Sequence, residues 1–190
     1  MRSYFNILEA TLIGRFLPAF SQRGRRRIIE SPRFYFFDVG IAGALGRRGE
    51  VTPGTELFGR AFEHFLFQEL TAYSNYRNSP PMSYWRTASG LEVDFVLGGG
   101  KIAVEAKATA GVHARRLGGL GAFREEYHPA RAIIVSLDPR PRTLSEGIEV
   151  LPWKRLLEPA LGWPAPVAPL GRRGKLGFRV FRLNNYAYGV

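Results

Sequence analysis

The stretch Glu92-Val-Asp94-Phe-Val-Leu-Gly98-Gly-Gly100-Lys-Ile-Ala-Val-Glu105-Ala-Lys107 contains two alternating apolar runs joined by three glycines. Alternation with a period of two marks a half-buried strand, and glycine supplies the positive φ that a tight turn needs, so the segment predicts a β-hairpin. With Gly99-Gly100 as a two-residue loop, Phe95 faces Val104 and Asp94 faces Glu105. A regular pleat then puts Val93, Phe95 and Leu97 on one face with Ile102, Val104 and Ala106, leaving Glu92, Asp94, Glu105 and Lys107 on the other. Opposed carboxylates repel unless a cation lies between them. Asp94 and Glu105, with the Ala106 carbonyl, form an oxygen set suited to magnesium. Lys107, two residues on, points the same way and could orient a water or offset charge on a phosphate. Pairing of Glu92 with Lys107 on a solvated face is the plainer alternative, and the spacing leaves both open.

Around the hairpin the periodicity predicts an α/β chain. A long amphipathic helix over 55–73, capped by Thr55, carries Phe58, Ala61, Phe62, Phe65, Leu66 and Leu70 at spacings of three and four. A strand over 82–87 precedes the hairpin. A helix over 113–127 leads to a continuous apolar strand over 130–137, of the kind buried on both faces, then a strand over 148–151 and a short helix from 153. The expected architecture is a mixed central sheet built on the 82–107 meander and flanked by the two long helices. Towards the N-terminus the pattern reads as one helix over 3–12, extended runs over 12–20 and 33–37, and a short helix from Val39 to Leu45. A Pro- and Gly-rich tail of low information occupies 159–190.

The 190 residues include 27 Lys plus Arg against 16 Asp plus Glu, a formal charge of +11, and 23 of the 27 basic residues are arginine. Such an excess points to a polyanionic partner, and the arginine fork suits phosphate. The clustered Arg25, Arg26 and Arg27 are candidates for phosphate contact, as are Arg86 and the pair Arg115 and Arg116. A hydrophobic share of 45% is too high for a disordered chain. No apolar run is long enough to span a bilayer, which predicts a cytoplasmic protein without a membrane partner. The absence of cysteine excludes disulfide scaffolds, thiolate zinc sites and thiol nucleophiles. Neither glycine group has the spacing of a phosphate loop, so the chain is not itself an ATPase.

Five ordered motifs, Phe34-Tyr-Phe-Phe-Asp38-Val-Gly40, Gly59-Arg-Ala-Phe62-Glu63-His-Phe-Leu-Phe-Gln-Glu69-Leu70, Tyr84-Trp-Arg86-Thr87, Glu92-Val-Asp94-Phe and Val104-Glu105-Ala-Lys107, carry a resemblance. Over about residues 3–157 the chain resembles the domain of unknown function at the C-terminus of prokaryotic AAA-type ATPases, and more broadly the PD-(D/E)xK nuclease superfamily. The resemblance implies a restriction-endonuclease-like fold over 38–158 and a partial winged-helix-like segment over 1–37. It also implies Asp94, Glu105 and Lys107 as catalytic residues, with Glu63 as the helix carboxylate. Asp94, Glu105 and Glu63 would hold Mg2+, which Mn2+ could replace. On a helical wheel Glu63 lies at the edge of the apolar stripe, whereas Glu69 lies near its centre.

The function this implies is a nuclease-fold module of an AAA-type ATPase family protein, one that binds nucleic acid, DNA first, with Mg-dependent phosphodiester cleavage. The alternative is a catalytically inactive module that binds DNA or a partner ATPase. Homo-oligomerisation is compatible with either.

Overall fold

The computed structural model describes residues 2–22, 24–46, 49, 51–76, 81–113 and 117–156. The expected tail over 159–190 and the Arg115-Arg116 pair lie outside these residues. Among those described, no helix is long and apolar enough to cross a membrane.

The centre is a six-stranded mixed sheet. Strands β3 (Ser83–Arg86), β4 (Glu92–Leu97) and β5 (Ile102–Lys107) form an antiparallel meander. Strands β6 (Arg131–Ser136) and β8 (Glu149–Pro152) continue it in parallel, and the two-residue β7 (Arg142–Thr143) closes the far edge antiparallel to β8. Parallel neighbours need a crossover, and α4 (Gly118–Tyr127) lies in the connection from β5 to β6. As its unbroken apolar run requires, β6 is buried from Ala132 to Ser136.

Two cores lie on opposite faces of the sheet. On one, α3 (Glu56–Tyr76) buries Phe62, Phe65, Leu66 and Leu70 against Phe95, Leu97, Val104 and Ile133, joined by Leu156 of α5 (Trp153–Leu156). The Thr55 hydroxyl accepts from the Phe58 amide at 3.2 Å and starts this helix. On the other face α4 packs Leu120 and Phe123 on Trp85, Val93, Val96 and Ala103. Trp85 is fully buried and edge-on to Phe123 at 5.5 Å.

The hairpin has the register read from its glycines, with Phe95 opposite Val104 and Leu97 opposite Ile102. Its faces differ from a regular pleat. Ser83 pairs with Val96 but Trp85 with Val93, so Asp94 and Phe95 together oppose Tyr84 in a β-bulge. The extra residue reverses the alternation, which is why Val93 packs towards α4 while Phe95 and Leu97 pack towards α3. Glu92, next to Val93, is thereby carried to the α3 side.

The N-terminal part is α1 (Arg2–Ala10) with a two-stranded antiparallel ribbon, β1 (Gly14–Leu17) and β2 (Arg33–Phe36), followed by α2 (Val39–Leu45). Phe5 of α1 meets Phe34 of β2 edge-to-face at 4.8 Å, and Phe34 in turn meets Phe16 of β1 at 5.2 Å. Asp38 caps α2 by accepting from the Ile41 amide at 3.0 Å. Between the ribbon strands the chain runs along the outer edge of β3. The Phe20 amide donates to Tyr84, Tyr84 to Pro18 and Ile29 to Arg86, at 2.7, 3.0 and 2.8 Å. That segment covers an edge that would otherwise be open to strand addition.

Candidate functional site

The bulge, the start of α3 and the end of β5 meet at a cleft of about 710 Å³. Glu56, Arg60 and Glu63 of α3 form one wall, Asp94 and Lys107 lie at its base, and residues 108–113 form the other wall. Glu63, Asp94 and Lys107 therefore share one cavity. Glu105 is 7% exposed and does not line it.

Every carboxylate here has at least one partner, and Arg33 is shared among three of them. The backbone ladder between β4 and β5 stops at Phe95–Val104, and the Ala106 amide donates instead to Asp94 Oδ2 at 2.8 Å. Glu105 Oε1 meets Lys107 Nζ at 2.6 Å, whereas its Oε2 is buried with no hydrogen-bond partner. Glu63 accepts from the Tyr35 hydroxyl and lies 3.4 Å from Arg33 Nη1. Glu92 accepts from Arg33 Nη2, with Arg86 Nε at 3.5 Å. Arg33 Nη1 is also 4.0 Å from Asp94 Oδ1.

The electrostatics follow from this crowding. Burial, then the Glu63, Glu105 and Glu92 charges, push Asp94 up to about 7 against the opposing pull of the Ala106 hydrogen bond. Burial raises Glu105 as well, and Lys107 offsets only part of that rise. Burial alone would lower Lys107, but the Glu105, Asp94 and Glu92 carboxylates outweigh it and hold the ammonium above its ordinary value. Arg33 behaves likewise beside Glu92, so it stays charged. Burial and the Glu63 charge keep Tyr35 a neutral phenol that donates its proton.

The three carboxylates expected to hold magnesium do not form a ready ligand shell. Among the described residues no group of three or more His, Cys, Asp or Glu side chains could hold a metal ion. Glu63 turns to Arg33 and Tyr35, Glu105 turns to Lys107, and Asp94 is bound by an amide. Glu69 lies outside this group, half-buried, with its carboxyl raised by burial.

Residues 58–156 match the model described as Domain of unknown function (DUF4143). The chain belongs to the DUF4143 family. Residues 1–52 match a second model, Domain of unknown function (DUF8612). No curated protein and no solved structure matches the chain. The DUF4143 match contains Glu63, Glu92, Asp94, Glu105 and Lys107, whereas Arg33 and Tyr35 come from the DUF8612 match.

Those two ribbon residues escaped the sequence reading. The only local sign of them is an alternation along β2 that puts a cation and a phenol on one face of an otherwise aromatic strand.

The expected phosphate-contacting arginines divide by their surroundings. Arg26 is an anchor: its amide donates to Glu126 at 3.0 Å and its guanidinium reaches Glu126 at 2.6 Å and the Ala122 carbonyl at 3.3 Å. The Glu126 side chain is only 2% exposed. Arg25 and Arg27 on either side are exposed to solvent. Arg86 is half-exposed and pairs with Glu92.

Proposed function

We propose that the chain is a nucleic-acid-binding module on a nuclease-like scaffold, acting beside an AAA-type ATPase, with phosphate contacts made by the loop between the ribbon strands. The observation that carries this reading is the clamp of Arg26 on the buried Glu126 carboxylate, which fixes the loop while Arg25 and Arg27 face outward. The loop is tied at a second point, where Gln22 Nε2 donates to the Gly99 carbonyl at 2.9 Å, close to the exposed Lys101. A polar groove of about 570 Å³ runs past Gln22, Arg26 and Arg27. A pre-fixed cationic loop binds a phosphate backbone without the ordering cost that a free arginine run incurs. The formal charge of +11 favours the same partner.

Fluorescence anisotropy with labelled single-stranded and duplex DNA tests this. Binding should weaken steeply with salt, and R25A/R27A should lower the slope of log K against log salt by about 2 because two phosphate contacts are lost. Unchanged affinity and slope would remove the loop from the interface.

A second reading, Mg-dependent phosphodiester cleavage resting on Asp94, Glu105, Lys107 and Glu63, is favoured by the cleft that brings Asp94, Glu63 and Lys107 together. Incubation of linear, nicked and branched DNA with magnesium or manganese, comparing the wild type with D94N, decides it. Cleavage by the wild type that D94N loses would support it, and intact substrates throughout would leave the binding module.

A further inference from the structure

We propose that Arg33 is the built-in cation of the Glu63, Glu92 and Asp94 cluster, supplied by the N-terminal ribbon so that these carboxylates are held together without a divalent ion. The guanidinium donates to Glu92, lies 3.4 Å from Glu63 and stands 4.0 Å from Asp94, so one side chain faces three acids from two elements of the DUF4143 match. A planar fork can serve several carboxylates at once where an ammonium offers a single point charge, so arginine suits this place better than lysine.

The position of Arg33 is fixed from three sides. Its backbone pairs with Leu17 in the ribbon, and its guanidinium lies 4.3 Å from the centre of the Tyr84 ring. The Tyr84 hydroxyl in turn donates to the Ser31 carbonyl and, at 3.2 Å, to that of Ile29, tying the approach to β2 onto β3. Tyr35, two residues on and on the same face of β2, adds its hydroxyl to Glu63.

The charge balance agrees with the geometry. Three carboxylates brought together in a half-buried place would repel one another strongly, and Arg33 with the outer Arg86 offsets most of that charge. Arg33 is thus a positioning residue, one that sets how Glu63 and Asp94 face the cleft. Because it lies in the stretch matched over 1–52 and its partners in the stretch matched over 58–156, the two matched segments complete one charge cluster between them. This inference does not depend on nucleic-acid binding, and its test uses no nucleic acid.

The test is a set of thermal melts and Mn2+ calorimetry at constant ionic strength on the full chain, with wild type, R33K, R33M, E92Q and R33M/E92Q. The wild type should show no saturable Mn2+ binding and an unchanged Tm in millimolar Mn2+. R33M should melt lower and recover about 2 to 4 °C on adding Mn2+, as a cluster without its cation takes one from solution. R33K should keep the wild-type indifference to Mn2+. In the E92Q background, the loss caused by R33M should shrink, because fewer charges then need the arginine.

A merely structural arginine would lower the Tm of R33M without creating Mn2+ dependence, and that result would overturn the proposal. Saturable Mn2+ binding by the wild type would overturn it equally. Should R33M not fold, the wild-type titration and the R33M/E92Q double variant decide: recovery of a folded chain on removing Glu92 supports the proposal, and continued failure to fold counts against it.

Discussion

The side chain of Asp94 accepts the Ala106 amide at 2.8 Å where the β4–β5 ladder ends at Phe95–Val104. A carboxylate thus extends the end of a ladder between two interior strands at the place where β4 bulges, and the same residue lines a cleft. Structure and chemistry compete for it: an amide hydrogen bond stabilises the charged form, whereas burial and three neighbouring acids disfavour that form.

That competition sets a pH dependence. With its folded pKa raised to about 7, Asp94 holds its proton more tightly in the folded than in the unfolded chain. Its contribution to stability is complete below about pH 4 and is lost as pH rises through about 7. Asp94→Asn keeps an oxygen for the Ala106 amide but cannot ionise. Its Tm should match the wild type near pH 4 and exceed it by about 2 to 4 °C near pH 8. Urea or thermal melts at the two pH values check this, and a variant less stable than wild type at both would show that the charged form is the favoured one.

The glycine turn offers a graded test of the hairpin. Gly99 and Gly100 both have positive φ, at 67° and 101°, but only at Gly100 would a Cβ meet another side chain, the buried Phe20 ring at 2.9 Å. Gly99→Ala should cost about 1 kcal/mol through backbone strain alone, and Gly100→Ala about 1 to 3 kcal/mol more, since the Phe20 ring must also shift. Denaturant unfolding of the two variants measures the difference, and equal losses would mean that Phe20 does not pack on the turn.

The register of this hairpin was legible because three glycines admit few turns, and the mixed sheet was legible because meander, helix and buried strand each carry their own period. The reversal of faces at Asp94 was not: a bulge depends on how β3 pairs, and nothing in the alternation of β4 marks it. Strand β7 has two residues, too few for a period. Glu63, Asp94 and Lys107 line one cleft while Glu105 does not, and the arginines that meet these acids come from afar. Arg33 is 30 residues from Glu63 and Arg26 is 100 from Glu126, and pairings of that range leave no local trace.

The two kinds of arginine in the ribbon loop should separate by experiment. Arg26→Ala leaves the buried Glu126 carboxylate without its guanidinium; burial raises the Glu126 carboxyl, the Arg26 and Arg25 amides and the Arg26 guanidinium together hold it below its usual value, and loss of the guanidinium should let it titrate higher. Because a depressed carboxyl adds stability that is lost on acidification, the Tm deficit of R26A should be largest near neutral pH and shrink in acid. R25A/R27A should leave Tm unchanged at every pH. Thermal melts across pH settle this apart from any DNA measurement, and an R26A chain as stable as wild type would make the clamp a surface ion pair of little worth.

Lys107 lines the same cleft as Asp94, and its role in the fold can be separated from any role there. Among the described residues its ammonium is the partner of Glu105 Oε1 and Glu105 Oε2 has none, so Lys107→Met strands a buried carboxylate. Because Lys107 is itself about a third exposed, the cost should be about 1 to 3 kcal/mol, below that of breaking a fully buried pair. Glu105 already has a raised carboxyl, and loss of the ammonium raises it further. A group so raised contributes stability at low pH that disappears as pH rises, so the deficit of K107M should grow from acid towards neutral pH. Lys107→Met combined with Glu105→Gln removes the stranded charge and should restore most of the loss at neutral pH. Urea unfolding of both variants across pH checks the pair: a deficit independent of pH, or one that E105Q leaves unchanged, would mean that Lys107 supports the sheet through its aliphatic stem and not through its charge.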